Sequence, residues 1–454
     1  MESEFDYTSA FEEINSGVIG DQSEVVIGPS GSNASSGQSS SSAISSPSSF
    51  SQGSPSQASS SIQSTPTSGQ PTPTTGQPTP TTEQIDTSLG VYDLDLYLRP
   101  YWEGNQIYNE TVLMYKNPDN TITGTLLYDA VTVQAVRNSA LDTLYKEGVD
   151  YTVSGDTITL TAGSDITYLT SAEVYSNVQK ANYWSMSDGR WISSYPVGYK
   201  DYYQPCIVVT YTHNHTGFGS FVPPPFDESR LPKTIAKLKN GQSLKIVAYG
   251  DSITVGANGS GFDNILPKMP NYPTLVQQKL HKVYPSATIS LVNTAVGGKS
   301  SNWGCYVEKD EDNNIDIDNA RDRVAAYSPD LVLISFGMGD AHSVNRFTPD
   351  TVKNNIASII ATVRQTRPDC EFIIVTAMNA NPLVPGFVGS GQDKYPEALK
   401  TLEETGVVVA DVNTAHGVLL QKKSFISIGG NSVNHPNDFV YRLYAQVILN
   451  LLME

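Results

Sequence analysis

After residue 225 the hydrophobic pattern of this chain becomes restrictive enough to name an architecture. Apolar, β-compatible runs at 244–249, 288–292, 331–336, 372–377 and 407–410 alternate with helix-compatible stretches at 272–284, 350–364 and 395–404, and a further one closes the chain at 437–453. Strands that are apolar along their whole length are buried on both faces, and helical connections between them imply parallel pairing. The pattern predicts a three-layer α/β/α domain over residues 231–454, built on a five-stranded parallel sheet.

Two other textures precede it. Residues 29–82 are dominated by Ser, Gly, Pro, Gln and Thr, and Gly-Gln-Pro-Thr-Pro-Thr-Thr occurs twice in tandem, from Gly69 and from Gly76. Such a composition buries too little apolar surface to offset chain entropy, so residues 1–86 read as a disordered acidic and Ser/Thr/Pro-rich tail and linker. Linkers of this kind are typical of secreted modular proteins, which points to an extracellular protein attached to other modules through its N-terminal linker. Met1-Glu2-Ser3-Glu4 is acidic where a secretion signal is basic, so no signal peptide is expected in this chain. Between residues 87 and 222, six to eight short strand-like runs without a convincing helix suggest an all-β sandwich or jelly roll as an accessory domain. Its many aromatic residues, Tyr97, Tyr101, Tyr202 and Tyr203 among them, suit either a sugar-stacking platform or the packing of one domain on the next.

Charge removes several classes of partner. A formal net charge of −18 argues against nucleic acid and against an anionic membrane surface, and no apolar run approaches the roughly 18 residues of a membrane span. Cys206, Cys305 and Cys370 are odd in number and widely separated, outlining neither a disulfide framework nor a zinc site. His213 and His215 alternate on one strand face with no acid or thiol close by in sequence, as on a solvated edge strand. No metal and no cofactor is expected.

The chemistry enters at the ends of the apolar runs. In an open parallel sheet, ligands bind outside the carboxyl ends of the strands, so the turn after 244–249 stands at the mouth of a site. That turn is Gly250-Asp251-Ser252, although Asp-Ser in isolation is also what a helix N-cap looks like. The loop after the second run contains Gly297-Gly298-Lys299-Ser300, the loop after the third contains Gly337-Met338-Gly339-Asp340, and Asn434-His435-Pro436 lies near the end. All of them are expected at the same sheet edge.

With these blocks in this order, residues 231–454 resemble the SGNH or GDSL-type hydrolases, a superfamily of serine esterases and lipases with a flavodoxin-like fold. The resemblance implies that Ser252 is the nucleophile, His435 the base, and the N–H groups of Ser252 and Gly298 part of an oxyanion hole. Two positions depart from the family pattern. Gly339 stands where the family has an asparagine that donates to the oxyanion, and Ser432 stands where it has the triad acid, three residues before the histidine. Asn302 is the candidate replacement for the missing amide, and Asp438 or Asn431 for the acid or orienter. Without an acid, a Ser-His dyad held by an amide or a backbone carbonyl still allows general-base catalysis. Asp251, Tyr272 and Trp303 are candidates for the substrate pocket. Some carbohydrate esterases of the superfamily pair a β-sandwich with such a domain and lack the acid, and this chain looks like them. The expectation is therefore a secreted serine esterase that removes acetyl or other small acyl groups from acetylated polysaccharide or oligosaccharide through an acyl-enzyme. A lipase or small-ester esterase of the same fold is the nearest alternative. A non-catalytic carbohydrate-binding protein with a degraded hydrolase site is the more distant one.

Overall fold

The computed structural model describes residues 25–28 and 90–454. The remainder of the expected tail and linker lies outside the described residues. Five strands run parallel in the spatial order Ile289–Asn293, Leu244–Gly250, Leu331–Ser335, Glu371–Val375 and Val407–Ala410. Numbered along the chain, that is the order 2-1-3-4-5, which reverses direction between Leu244–Gly250 and Leu331–Ser335. Crossovers between parallel strands are right-handed, so connections on either side of the reversal cover opposite faces of the sheet. The helices do fall into two packing groups. Tyr272–Val283 packs with the terminal helix Asp438–Leu449, whereas Pro349–Thr366 packs with Tyr395–Lys400 and Ser301–Gly304.

The sheet has a sixth strand that the apolar pattern did not reveal. Val25–Ile27 lies antiparallel against Ile289–Asn293 at the sheet edge. The sheet is therefore mixed and six-stranded, and these residues of the acidic tail are part of the fold. Three apolar residues inside a polar segment are too short a run to show a period. They are held by tertiary bonds: the buried Gln277 amide donates to Val25 O at 2.7 Å and to Ile289 O at 2.9 Å.

Residues 90–222 form antiparallel sheets of short strands. One contains Gln106–Leu113, Cys206–Thr212, Thr132–Asn138 and Leu144–Tyr145; a second contains Tyr115–Lys116, Ile122–Thr125, Thr157–Leu160 and Tyr151–Ser154. A third, of three strands, is built from Tyr183–Ser185, Trp191–Ser193 and Tyr175–Ser176. This region belongs to the same compact unit as the rest of the described chain. Charged groups buried between the two explain the continuity. Arg442, on the terminal helix, donates to the carbonyls of Tyr97, Tyr108 and Asn109 and stacks its guanidinium on the Tyr97 ring at 4.3 Å. Lys423 and Glu110 form an ion pair whose side chains are both 0% exposed. Tyr97, Tyr101, Tyr202 and Tyr203 are all buried here, so these aromatics pack the two regions together and offer no face to a sugar.

Candidate active site

The Leu244–Gly250 strand leads into the sheet's point of reversal. Asp251 follows it in extended conformation and caps the one-turn helix Ser252–Val255 by accepting from Ile253 N at 3.0 Å. Ser252 is thus the first residue of that helix and is half-exposed, while the buried strand behind it fixes its backbone. Its Oγ lies 2.8 Å from His435 Nε2. His435 is brought there by the loop between the helices Phe425–Ile428 and Asp438–Leu449, and it is 7% exposed. Burial lowers its pKa to about 4. The imidazole is therefore neutral near pH 7 and available as a base.

The other imidazole nitrogen has a partner that the family pattern does not contain. His435 Nδ1 lies 2.6 Å from Asn258 Oδ1. Asn431 is adjacent, with its amide nitrogen 3.2 Å from Nδ1, but its Oδ1 accepts from the backbone N–H groups of Val433, Asn434 and His435. Asn431 therefore shapes the loop. The sequence does carry a local signal for Asn258. It sits in Gly256-Ala257-Asn258-Gly259, and such a run favours left-handed backbone, which Asn258 adopts at φ 63°. Nothing in that signal indicates a histidine beyond it.

For a developing oxyanion, the backbone N–H groups of Ser252 and Gly298 take no protein partner among the described residues. Gly298 is exposed at φ 72° in the loop after Ile289–Asn293. Gly339 is not an emptied asparagine position. A Cβ there would lie 2.5 Å from the Lys299 carbonyl oxygen, so the third block and the Gly298 loop touch backbone to backbone. Asp340 fastens the same contact, its buried carboxylate accepting from the N–H and hydroxyl of Ser301.

The remaining expected site residues fall in different places. Asn302 is exposed on the short helix Ser301–Gly304. Trp303 is half-buried, with the Arg323 guanidinium 5.0 Å and the Lys299 ammonium 5.7 Å from its ring. Tyr272 is 0% exposed, its hydroxyl 2.9 Å from Thr254 Oγ1 and its ring stacked on Tyr444. It packs the core beneath the Ser252 turn. Asp438 does not face His435 either. Its carboxylate accepts from Ser260 N, Ser260 Oγ and Tyr203 OH, because the first turn of its helix points it at the 256–263 loop. Asp251 is buried too, and burial first, then the nearby Asp340 charge, raises its carboxyl to about 7.

A hydroxyl hydrogen-bonded to a neutral imidazole, at the switch point of a doubly wound sheet, is the arrangement by which serine hydrolases of several folds activate their nucleophile. Residues 248–443 match the model of the GDSL-like lipase/acylhydrolase family. Among solved structures, the chain is similar to a two-domain esterase active on acetylated mannans, with 20% identity and a TM-score of 0.37 over 50% of this chain and 53% of that one. It thus spans about half the length of that esterase. An acetylxylan esterase from Geobacillus stearothermophilus aligns at 21% identity and a TM-score of 0.36, over 48% of this chain and 97% of its own. No curated protein sequence matches the chain significantly. No helix among the described residues is long and apolar enough to cross a membrane.

Proposed function

We propose that the protein is a secreted serine esterase that removes acetyl or other short acyl groups from polysaccharide. The observation that carries this reading is the 2.8 Å contact between Ser252 Oγ and His435 Nε2. In the acylation half, Oγ attacks the ester carbonyl while its proton passes to Nε2, and the carbonyl oxygen becomes an oxyanion facing the Ser252 and Gly298 N–H groups. The bond to the sugar oxygen then breaks, and His435 returns the proton to that oxygen. In the second half, His435 takes a proton from water, the hydroxide attacks the acyl-enzyme, and the same proton restores Ser252 as the carboxylic acid departs. An oxyanion hole of two backbone N–H groups without a side-chain donor costs about 3 kcal/mol of stabilisation, a slower enzyme but not a dead one.

The Ser/Thr/Pro-rich composition of residues 29–82, between the Val25–Ile27 strand and the rest of the described chain, supports an extracellular, polymeric substrate. The test is acetate release from acetylated xylan or mannan by the native protein and by Ser252→Ala. Release by the native protein that falls at least about a thousandfold in the variant is expected. Equal release from the two would end the reading.

A further inference from the structure

We propose that Asn258 is the positioning residue of His435, its neutral amide oxygen filling the role that a carboxylate would otherwise fill beside the histidine. The inference rests on the esterase reading and deepens it.

The geometry decides among the groups near Nδ1. An oxygen 2.6 Å from Nδ1 requires a proton between them, since a ring lone pair facing a carbonyl lone pair at that distance is repulsive. The atom at that distance is assigned as the amide oxygen because Asn431 Nδ2 then donates to it at 3.4 Å and to Asn434 Oδ1 at 3.2 Å, so that its 3.2 Å approach to the protonated Nδ1 is a contact and not a hydrogen bond. With Nδ1 protonated, Nε2 keeps its lone pair toward Ser252. That is the productive tautomer, and fixing it is the main task of the third member in a catalytic triad. Asn431 cannot perform the task, because its oxygen is already occupied by three backbone N–H groups.

The fold supports Asn258 from two further sides. Its carbonyl accepts from Tyr203 OH at 2.8 Å, and it is 1% exposed. Gly430 in the histidine loop approaches so closely that a Cβ there would lie 2.7 Å from Asn258 Cβ and 2.6 Å from Asn258 O. Meanwhile the position three residues before His435 is closed to a carboxylate. Ser432 is fully buried, its carbonyl accepting from Asn381 Nδ2 at 2.7 Å and its hydroxyl 3.4 Å from Tyr202 OH. The orienting group has thus moved from the histidine loop to the loop behind the nucleophile helix.

An amide orients the ring but brings no full charge to the imidazolium that forms during attack. The consequence is a base of low pKa and an acid limb of the pH profile far below that of an acid-bearing triad. Asn258→Gly removes the amide and keeps the left-handed backbone. On a chromogenic acetate ester, kcat of this variant is expected to fall at least about a hundredfold with KM changed by less than about threefold. Asn258→Asp restores an acceptor and adds charge, so it should retain activity and move the acid limb of kcat/KM up by about one unit or more. A merely structural role would leave that limb in place. Folded Asn258→Gly with kcat within about threefold of native, or Asn258→Asp with an unmoved acid limb, overturns the proposal. Ser252→Ala is measured alongside. If it hydrolyses the ester as fast as the native protein, the esterase reading fails; if it is inactive while Asn258→Gly is fully active, only the positioning role fails.

Discussion

Ser252 and His435 meet at 2.8 Å, yet the chain delivers the first through its own strand and the second through a loop tied to the β-rich region. The Ser252 turn is local. Strand, cap and helix follow one another within residues 244–255, and the cap bond spans two residues. The histidine loop is held from far away. Ser432 N donates to Ser194 O at 3.0 Å, and Tyr202 OH donates to Ile426 O at 2.9 Å across 224 positions. Tyr203 OH reaches both Asn258 O and Asp438. One half of the pair is thus a property of the α/β sheet, and the other half depends on the sheets that precede it.

The largest expected break in that contrast is at the buried ion pair. Lys423 lies just ahead of the histidine loop, and its ammonium contacts Glu110 and the Thr125 carbonyl, both in the β-rich region. A buried pair adds little net stability, but removing one partner strands the other charge and costs about 3–5 kcal/mol. Glu110 also accepts from Leu127 N and Tyr211 OH, so it is fixed where it stands. Lys423→Met should therefore lose about that much stability in denaturant titration, and the double variant with Glu110→Gln should recover part of the loss. A single variant as stable as the native protein would mean that the ion pair is dispensable and that Arg442, the tyrosine hydroxyls and apolar packing hold the two regions together.

Tyr203→Phe sharpens the same contrast at smaller cost. It removes the hydroxyl from Asn258 O and Asp438 while keeping the ring, for about 1–3 kcal/mol of lost hydrogen bonding. If the histidine side depends on this tether, kcat falls about tenfold at nearly constant KM, as expected for a displaced base. An unchanged kcat would show that Asn258 is held by the 256–259 turn and the Gly430 contact without help.

The same division governs what could be read without coordinates. The parallel strands, the Ser252 turn and the approach of His435 were visible, because apolar runs and short blocks are local in sequence. Asn258 was not, since its value lies in a left-handed turn meeting Gly430, a tertiary event with no period or spacing. Asp438 stood open between acid and helix cap, because distance along the chain from His435 says nothing about which way a helix's first turn points. Tyr272 suited a pocket wall and core packing equally in sequence, and the structure places it on the buried side. Val25–Ile27 was hidden inside a polar segment too short of apolar residues to display alternation.

A third test probes the Ser252 turn by pH. Burial strips charge from both ends of this site, but in opposite directions: His435 is lowered to about 4 and Asp251 raised from 3.8 to about 7. For Asp251, the folded state holds its proton more tightly than the unfolded chain. Stability contributed by that group is complete below about 3.8 and falls as pH rises toward about 7, levelling off above it. For His435 the folded state holds its proton less tightly, so its contribution is present above the unfolded value and falls as pH drops toward about 4. Asp251→Asn retains an oxygen to cap Ile253 N and removes the titration. The variant should match the native protein near pH 4 and become the more stable of the two near pH 8. Equal stability at both pH values would mean that Asp251 titrates alike folded and unfolded, leaving the Ser252 turn indifferent to pH while the histidine side alone responds to it.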